Sequence, residues 1–483
     1  MTIDHIALLP LYAASGAAIL VLLADLIVAR RAATFGAFAL GGTATAICAI
    51  VVGGSRAATF CAGDECSWVP SPVAVVTAVL FAGLTVGVLA LSIPALREGA
   101  APAGEFCFLL AASMTGGVVI GYSGDLISLI VGLETLTLPL YILVGLRRFA
   151  PREKVSTAGA SASITFFLIS VVSTAIALLG AALNYAATGA LHLDRLIEGF
   201  GPLEPVAQVG VALLVIGFAF KVAAVPLHAW AAPTYEGAPL PIAAYLSTAS
   251  KLGGVLALAA IVSRLDASAI TAALAVLTMT VGNLVALRQT RMVRLLAWSS
   301  IAQAGYVLAA LAIGGAGVEA AIVYAVFFMI LEFIAFAAVV ALRPVASDGG
   351  DLLAYRGAGR RSPWLGAALV LAFAGLAGLP PGLAGLFAKV TIVDALIDDG
   401  WGWLAGVVAL NAVIGLAYYV RATANLYATP PRPGIQIVDP NLLESATHPR
   451  LPVARPVAAA LIVAAAAAVV LGFAPQLLFD ALS

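Results

Sequence analysis

The sequence predicts an all-α, polytopic membrane protein of about fourteen transmembrane helices, on the evidence of its composition, its apolar runs and its loop charges. Hydrophobic residues make up 63% of the 483 positions and charged residues only 10%. Globular domains have roughly 45 to 50% apolar and about 25% charged residues. The net charge is zero and the basic residues are scattered, which argues against a nucleic-acid-binding surface and against an amphipathic surface anchor. The apolar composition instead predicts contacts with membrane lipids.

A transmembrane helix needs about 20 consecutive apolar residues, and the sequence contains about fourteen such runs. The first run, 7–29, is too long for the apolar core of a typical signal peptide, so we expect it to be retained. The polar stretch 429–452 predicts a linker before a last helix within 454–483. The runs start near Ala7, Ala33, Val73, Cys107, Leu126, Ile164, Val206, Ile242, Ala269, Leu295, Val318, Leu365, Trp401 and Val457.

Basic residues in the loops predict the orientation of these helices. With an external N-terminus, the loops that would face the cytoplasm hold 18 Lys and Arg residues, and the opposite loops hold only Arg56, Arg195 and Arg264. Cytoplasmic loops are enriched in Lys and Arg. We therefore predict that both termini lie outside the cytoplasm.

Two of the four cysteines, Cys61 and Cys66, lie in a loop that this orientation places outside the cytoplasm. A disulfide between them is one expectation, because disulfides persist in oxidising compartments. Two free thiols are the alternative, and two cysteines alone are too few ligands for a structural zinc site.

Charged residues within the apolar runs are the main functional signal. Lys221, Lys251 and Lys389 are three of only four lysines, whereas 20 of the 21 loop cations are arginines. Arginine stays charged, but a buried lysine can lose its proton, so this sorting favours proton transfer. Glu134 is the ninth residue of its run. Four charges near the bilayer centre cost on the order of 10 kcal/mol before any pairing. A static ion pair of Glu134 with one lysine would leave two lysines unexplained.

Prolines accompany two of these lysines. Lys221 precedes Pro226 by five residues, and Lys389 follows Pro380 by nine. Proline frees a backbone carbonyl, and in a bilayer such breaks survive only where they face protein or a wet cavity. Each break could be one discontinuous helix or two short ones. Discontinuous helices in corresponding halves are typical of transporters built from repeats.

Weaker relay candidates accompany the four charged residues. His228 could pass protons at the first break, or it could be a structural residue at a helix end. Glu332 lies mid-run and could be the partner that Lys251 or Lys389 lacks. Asp25 and Asp394 lie near helix ends. Motifs for nucleotides, iron–sulfur clusters or haem are missing from the sequence, so we expect no cofactor and no metal in this chain.

Five segments of the chain resemble subunit N in the family of antiporter-like membrane subunits of bacterial NADH-quinone oxidoreductase (respiratory complex I). The resemblance extends from about 107 to 421, and its Tyr-Glu-Gly-Ala-Pro stretch ending in Lys251 is fairly specific to subunit N. The segments are Val131–Tyr141, Phe220–Trp230, Tyr235–Lys251, Arg294–Tyr306 and Gly378–Lys389.

The resemblance implies a fold of fourteen helices with two inverted five-helix repeats, at 107–262 and 269–425, after N-terminal helices in 1–106. It implies that Glu134 pairs with Lys221, that Lys251 is central to a proton path and that Lys389 leads toward its exit. It also implies a bacterial cell membrane location, sister antiporter-like subunits as partners, and NADH, FMN, iron–sulfur clusters and quinone in partner subunits.

This sequence departs from the family pattern at two positions. Gln303 stands where many relatives have a histidine, and Glu332 stands where they have a small or amide residue. We hypothesise that Glu332 compensates as a relay group.

Three other functions remain open at this point. A subunit of a multi-subunit cation/proton antiporter would share the fold and the buried lysines. A structural membrane subunit of a redox complex is disfavoured by those lysines. A complex with an electron donor other than NADH would use the same subunit.

Overall fold

The computed structural model describes residues 3–146, 154–196, 203–345, 348–429 and 453–482. Within these ranges the chain forms apolar helices joined mostly by short turns. In chain order they are α1 (Leu9–Leu23), α2 (Arg31–Val52), α3 (Pro72–Arg97), α4 (Ala103–Tyr122), α5 (Leu126–Gly145), α6 (Lys154–Thr188), α7 (Glu204–Lys221), α8 (Ala231–Gly237), α9 (Leu240–Val262), α10 (Ser268–Ala286), α11 (Met292–Leu311), α12 (Val318–Leu342), α13 (Pro363–Ala377), α14 (Leu383–Asp398), α15 (Gly402–Tyr427), α16 (Arg455–Phe473) and α17 (Gln476–Leu482).

Short elements complete the described structure. A π-helical turn, Ala24–Val28, extends α1, and another, Leu246–Ser250, lies within α9. Single turns of helix occur in four connections, at Leu193–Arg195, Gly314–Gly317, Leu352–Tyr355 and Ala358–Arg361.

Twelve helices in the described part of the chain are long and apolar enough to cross a membrane. The 20-residue helix α11 is as long as several of these but more polar, and α13 with α14 makes up a further crossing. With α11 and the α13–α14 pair added to these twelve, the described helices match the fourteen predicted spans, and the fold class is confirmed. The predicted linker 429–452 lies outside the described residues except for Thr429.

The start predicted for one helix is wrong. We expected a span from about Ile164, but α6 begins at Lys154. Residues 154–163 are mostly small or hydroxyl-bearing, so they add little hydropathy although alanine and serine are compatible with a helix. Hydropathy therefore finds the apolar part of α6 and misses its first ten residues.

The chain contains two successive sets of five crossings, which begin at α4 and at α10. The fourth crossing of each set is a discontinuous helix. Residues 222–230 separate α7 from α8, and residues 378–382 separate α13 from α14. Polar side chains stabilise the first break, because Thr278 Oγ1 accepts a hydrogen bond from the Val225 amide (2.9 Å) and the Trp230 indole donates to the Phe220 carbonyl (3.1 Å). We therefore describe the two helical segments around each break as one discontinuous helix.

The disulfide expected in the first long loop is present, between Cys61 and Cys66. It closes an antiparallel hairpin of β1 (Thr59–Ala62) and β2 (Glu65–Trp68). We did not predict these strands. They have four residues each, too few for a clear alternation of apolar and polar residues.

The hairpin joins several connections on one side of the helix bundle. The Trp68 indole donates to the Ala7 carbonyl (3.0 Å) and stacks on Tyr122 at 4.4 Å between ring centroids. The Glu65 carboxylate lies 2.7 Å from the His192 Nδ1 and forms an ion pair with Arg195. The contacts therefore place the N-terminal segment and the α6–α7 connection on the same side, as an alternating arrangement of crossings requires.

Removing this disulfide should loosen the hairpin without stopping transport. Closing so short a loop contributes about 2 kcal/mol in the chain-entropy model. We expect Cys61→Ser to lower the thermal unfolding temperature of the purified protein, with Cys48→Ser, a change at a free cysteine, as the matched control. Counting reactive thiols in the unreduced, denatured protein checks the bond itself. Two reactive thiols are expected, and four would contradict it.

Ionic contacts on the opposite side join α8 to later connections. Glu236 in α8 pairs with Arg291 and with Arg294 (2.8 Å), and Arg291 also pairs with Asp348 (2.6 Å). The Arg421 guanidinium donates to the Leu287 carbonyl at 2.5 Å. These residues lie near helix ends or in connections on the arginine-rich side predicted from the loop charges.

Candidate functional site

Glu134 in α5 and Lys221 in α7 form an ion pair in which the lysine is buried and the glutamate is partly buried. The Lys221 Nζ lies 2.8 Å from the Glu134 Oε1, and the two side chains are 5% and 28% exposed, respectively. Asp125 caps the N-terminus of α5 by accepting the Ser128 amide at 2.7 Å, which fixes where that helix begins. Lys221 is the last residue of α7, directly before the first break.

Hydroxyl groups complete the surroundings of this pair. Lys221 Nζ also donates to Ser170 Oγ (3.0 Å) and Thr137 Oγ1 (3.2 Å). The Thr174 hydroxyl donates to Glu134 Oε1 at 2.5 Å. An ammonium group has three donors, and all three have partners here. Sequence reasoning missed these hydroxyls, although Thr137 stands one helical turn from Glu134, on the same face.

Lys251 lies in α9, which is buried along most of its length. Its side chain is 1% exposed, and its Nζ donates to the Ser300 carbonyl of α11 at 2.7 Å. Gly254, one turn further along α9, lies against Lys221, where a Cβ would lie 2.9 Å from the Lys221 Cβ. The absence of a side chain at Gly254 therefore lets α9 approach α7 closely. Among the described residues, no carboxylate forms an ion pair with Lys251.

Lys389 binds a carbonyl that the second break sets free. Its Nζ donates to the Leu376 carbonyl at 2.7 Å, and its side chain is 9% exposed. In a continuous helix that carbonyl would accept from residue 380, which is a proline without an N–H. The ammonium also lies 5.2 Å from the centroid of the Tyr306 ring, an arrangement that favours a cation. The proline thus supplies the acceptor for Lys389.

Gln303 in α11 also donates to the Leu376 carbonyl. It belongs to a network of hydrogen bonds that joins α11 to α12, α13 and α15. Its amide donates to the Leu376 carbonyl (3.1 Å) and to the Tyr419 hydroxyl (3.0 Å). The Tyr324 hydroxyl donates to the Gln303 Oε1, and Ser299 shares a hydrogen bond with Tyr419. Sequence reasoning identified Gln303 only as a departure from the family and missed the tyrosines.

Glu332 does not form the ion pair we expected with Lys251 or Lys389. Its side chain is 0% exposed in the middle of α12, and neither carboxylate oxygen has a hydrogen-bond partner among the described residues. Its helix α12 packs against α9, which carries Lys251. Spacing along separate helices could not show this, because pairing depends on the rotation of α12 relative to α9.

The remaining candidates lie away from these lysines or make contacts of other kinds. The His228 ring, within the first break, packs on Trp298 at 5.2 Å between centroids, and its Nδ1 is buried without a described hydrogen-bond partner. Asp25 accepts a hydrogen bond from Thr34 at 3.1 Å, and Asp394 is exposed on α14. Within the described ranges, no group of three His, Cys, Asp or Glu residues could hold a metal ion.

The comparisons with known proteins agree with this fold. The family model described as NADH:quinone oxidoreductase/Mrp antiporter, TM matches residues 123–415. A protein of Salinispora tropica called NADH-quinone oxidoreductase subunit N is 57% identical over 99% of this chain and 98% of its own length. Another, of Streptomyces griseus, called NADH-quinone oxidoreductase subunit N 2, is 39% identical over 98% and 92%. A chain of respiratory complex I from Thermus thermophilus superposes with a TM-score of 0.81 at 28% identity, covering 98% of this chain and 99% of that chain.

In the described part of the chain, many apolar helices, two discontinuous helices and three buried lysines define an antiporter-like membrane subunit. The family model also includes Mrp antiporters, so the fold alone does not separate the two groups. The two groups are separated by the 57% sequence identity to a subunit N over nearly the whole length of the chain. The chain belongs to the family of NADH-quinone oxidoreductase subunit N.

Proposed function

We propose that this chain is a proton-translocating membrane subunit of an NADH-quinone oxidoreductase, with Glu134, Lys221, Lys251 and Lys389 as the residues that carry protons. The observation that carries the proposal is the burial of three lysines in one bundle, two of them with a carbonyl and no acid as hydrogen-bond partner among the described residues. Uncompensated charges of this kind are expensive in a membrane and mark proton or ion pathways.

The Glu134–Lys221 pair is the element through which the rest of the complex would act. If quinone reduction elsewhere draws Glu134 away, Lys221 keeps only its two hydroxyl partners, and a buried ammonium without its counter-charge is costly. Release of its proton relieves that cost. Lys251 on the adjacent α9 would then exchange a proton with it, and Lys389 would deliver one toward the exit.

The arrangement of the chain in the membrane follows the loop charges. We place both termini outside the cytoplasm of a bacterial cell membrane and treat 107–262 and 269–425 as the two inverted repeats that share this path. NADH, FMN, iron–sulfur clusters and quinone would be bound by partner subunits. Sister antiporter-like subunits would contact this chain within the membrane.

Purification of the intact complex through a tag on this chain tests the proposal. The purified complex should reduce quinone with NADH, and proteoliposomes that contain it should take up or release protons only when NADH is oxidised. A preparation from the untagged strain is the control. An antiporter subunit would instead give a sodium-dependent pH change without NADH, and that result would contradict the proposal.

A further inference from the structure

Glu332 is a buried acid that the path proposed above leaves without a role. It is the fifteenth of the 25 residues of α12, so it lies near the middle of a membrane crossing. Both of its oxygens are buried and lack a hydrogen-bond partner among the described residues. A carboxyl group fixed for structural reasons would be expected to have such partners.

The proposed path names no proton carrier between Lys251 and Lys389, and the surroundings of Glu332 are related to both lysines. The helix that carries Glu332, α12, packs against α9, which carries Lys251, and also against α13 and α14, which flank the second break. The Tyr419 hydroxyl accepts the Gln303 amide, which also donates to the carbonyl that binds Lys389. Glu332 therefore lies on a helix that contacts both the helix of Lys251 and the helices beside the second break, and Tyr419 is linked through Gln303 to the surroundings of Lys389.

Gln303 cannot fill this gap itself, because an amide does not titrate. Both of its described donor contacts, to Tyr419 and to the Leu376 carbonyl, hold groups in place. We regard Gln303 as a positioning residue that fixes the Tyr419 hydroxyl. Glu332, by contrast, can titrate, and its helix α12 packs against the helix of Lys251.

We propose that Glu332 is a proton-relay residue between Lys251 and Lys389, with the Tyr419 hydroxyl as the next group. In the forward step an N–H bond of the Lys251 ammonium breaks and, through water between the two groups, an O–H bond forms on the Glu332 carboxylate. Glu332 then gives this proton through water to the Tyr419 oxygen, as the Tyr419 hydroxyl releases its own proton through water to the neutral amine of Lys389. The inference rests on the proposed function of the path.

Transfer of a proton from Lys251 to Glu332 has a low free-energy cost, because the summed charge of the two groups does not change. Before transfer Lys251 is an ammonium and Glu332 a carboxylate, and after transfer both are neutral. The net charge of the two groups is zero in both states, so the low-dielectric interior gains no unpaired charge. A lysine that exchanged protons with water alone would alternate between a compensated and an uncompensated state.

The variant Glu332→Gln tests the relay in the assembled complex. Because the carboxylate has no hydrogen-bond partner to lose, we expect the complex to assemble normally while NADH-driven proton uptake by inside-out vesicles falls about tenfold or more, as for loss of a proton-transfer group. Glu332→Asp should restore part of the rate. The matched control is Glu319→Gln, an exposed acid in the first turn of the same helix.

Parallel variants separate this inference from the proposed function. If Lys251→Ala stops proton uptake and Glu332→Gln leaves it at the wild-type rate, the relay is wrong and the path stands. If both variants pump normally, the path itself fails. Should Glu332→Gln not assemble, Tyr419→Phe decides, because slowed proton uptake supports the relay and an unchanged rate overturns it.

Discussion

Replacing Lys251 with alanine should abolish coupled transport while the complex still assembles. In inside-out vesicles, NADH-driven quinone reduction and proton uptake should both fall about tenfold or more, because positioned proton-transfer groups typically contribute 10²- to 10⁴-fold to a rate. The side chain is 1% exposed and its described hydrogen-bond partner is the Ser300 carbonyl, which keeps its place in α11 without the lysine. Loss of the ammonium therefore removes a proton carrier and breaks no ion pair among the described residues.

Two further variants distinguish proton exchange from a fixed positive charge. Lys251→Arg keeps a cation that does not release its proton, so we expect transport to stay low if exchange matters and to recover if only charge matters. Lys154→Ala changes the fourth lysine, at the start of α6, and should leave both rates unchanged. Normal quinone reduction and proton uptake in Lys251→Ala would mean that the lysine is structural.

The crossings could be predicted from the sequence because each is a long apolar run, and the two breaks because each contains a proline. The β1–β2 hairpin and the first ten residues of α6 could not, since neither produces a strong hydropathy pattern. The predicted disulfide between Cys61 and Cys66 required only that two cysteines share one loop. The most predictable features were therefore those marked by long apolar runs, by prolines or by cysteines that share a loop.

The charged residues of the site could be predicted from the sequence, but their hydrogen-bond and ion-pair partners could be predicted only in part. The Glu134–Lys221 contact was implied by the family resemblance, and the structure shows it at 2.8 Å. The partner of Lys389 could have been inferred from chemistry, because Pro380 frees the carbonyl four residues before it. Lys251 and Glu332 could not be assigned partners, since their contacts depend on how α9, α11 and α12 are rotated in the bundle. The roles of these residues in proton transfer stay predictions.

Breaking the Glu134–Lys221 pair from one side should affect both stability and transport. Glu134→Gln leaves a lysine that is 5% exposed facing the hydroxyls of Ser170 and Thr137. Removing one partner of a buried pair costs about 3 kcal/mol or more. We expect a lower thermal unfolding temperature of the complex and loss of NADH-driven proton uptake.

The double variant Glu134→Gln/Lys221→Met separates the two possible roles of this pair. Removing both charges also removes the buried, unpaired ammonium, and such double replacements are often neutral or stabilising. If the pair only holds α5 against α7, the double variant should regain both stability and proton uptake. If the pair transfers protons, stability should recover while uptake stays absent, because methionine and glutamine cannot exchange a proton. Recovery of uptake together with stability would therefore exclude the pair from the path, and recovery of stability alone would assign its charges to transport.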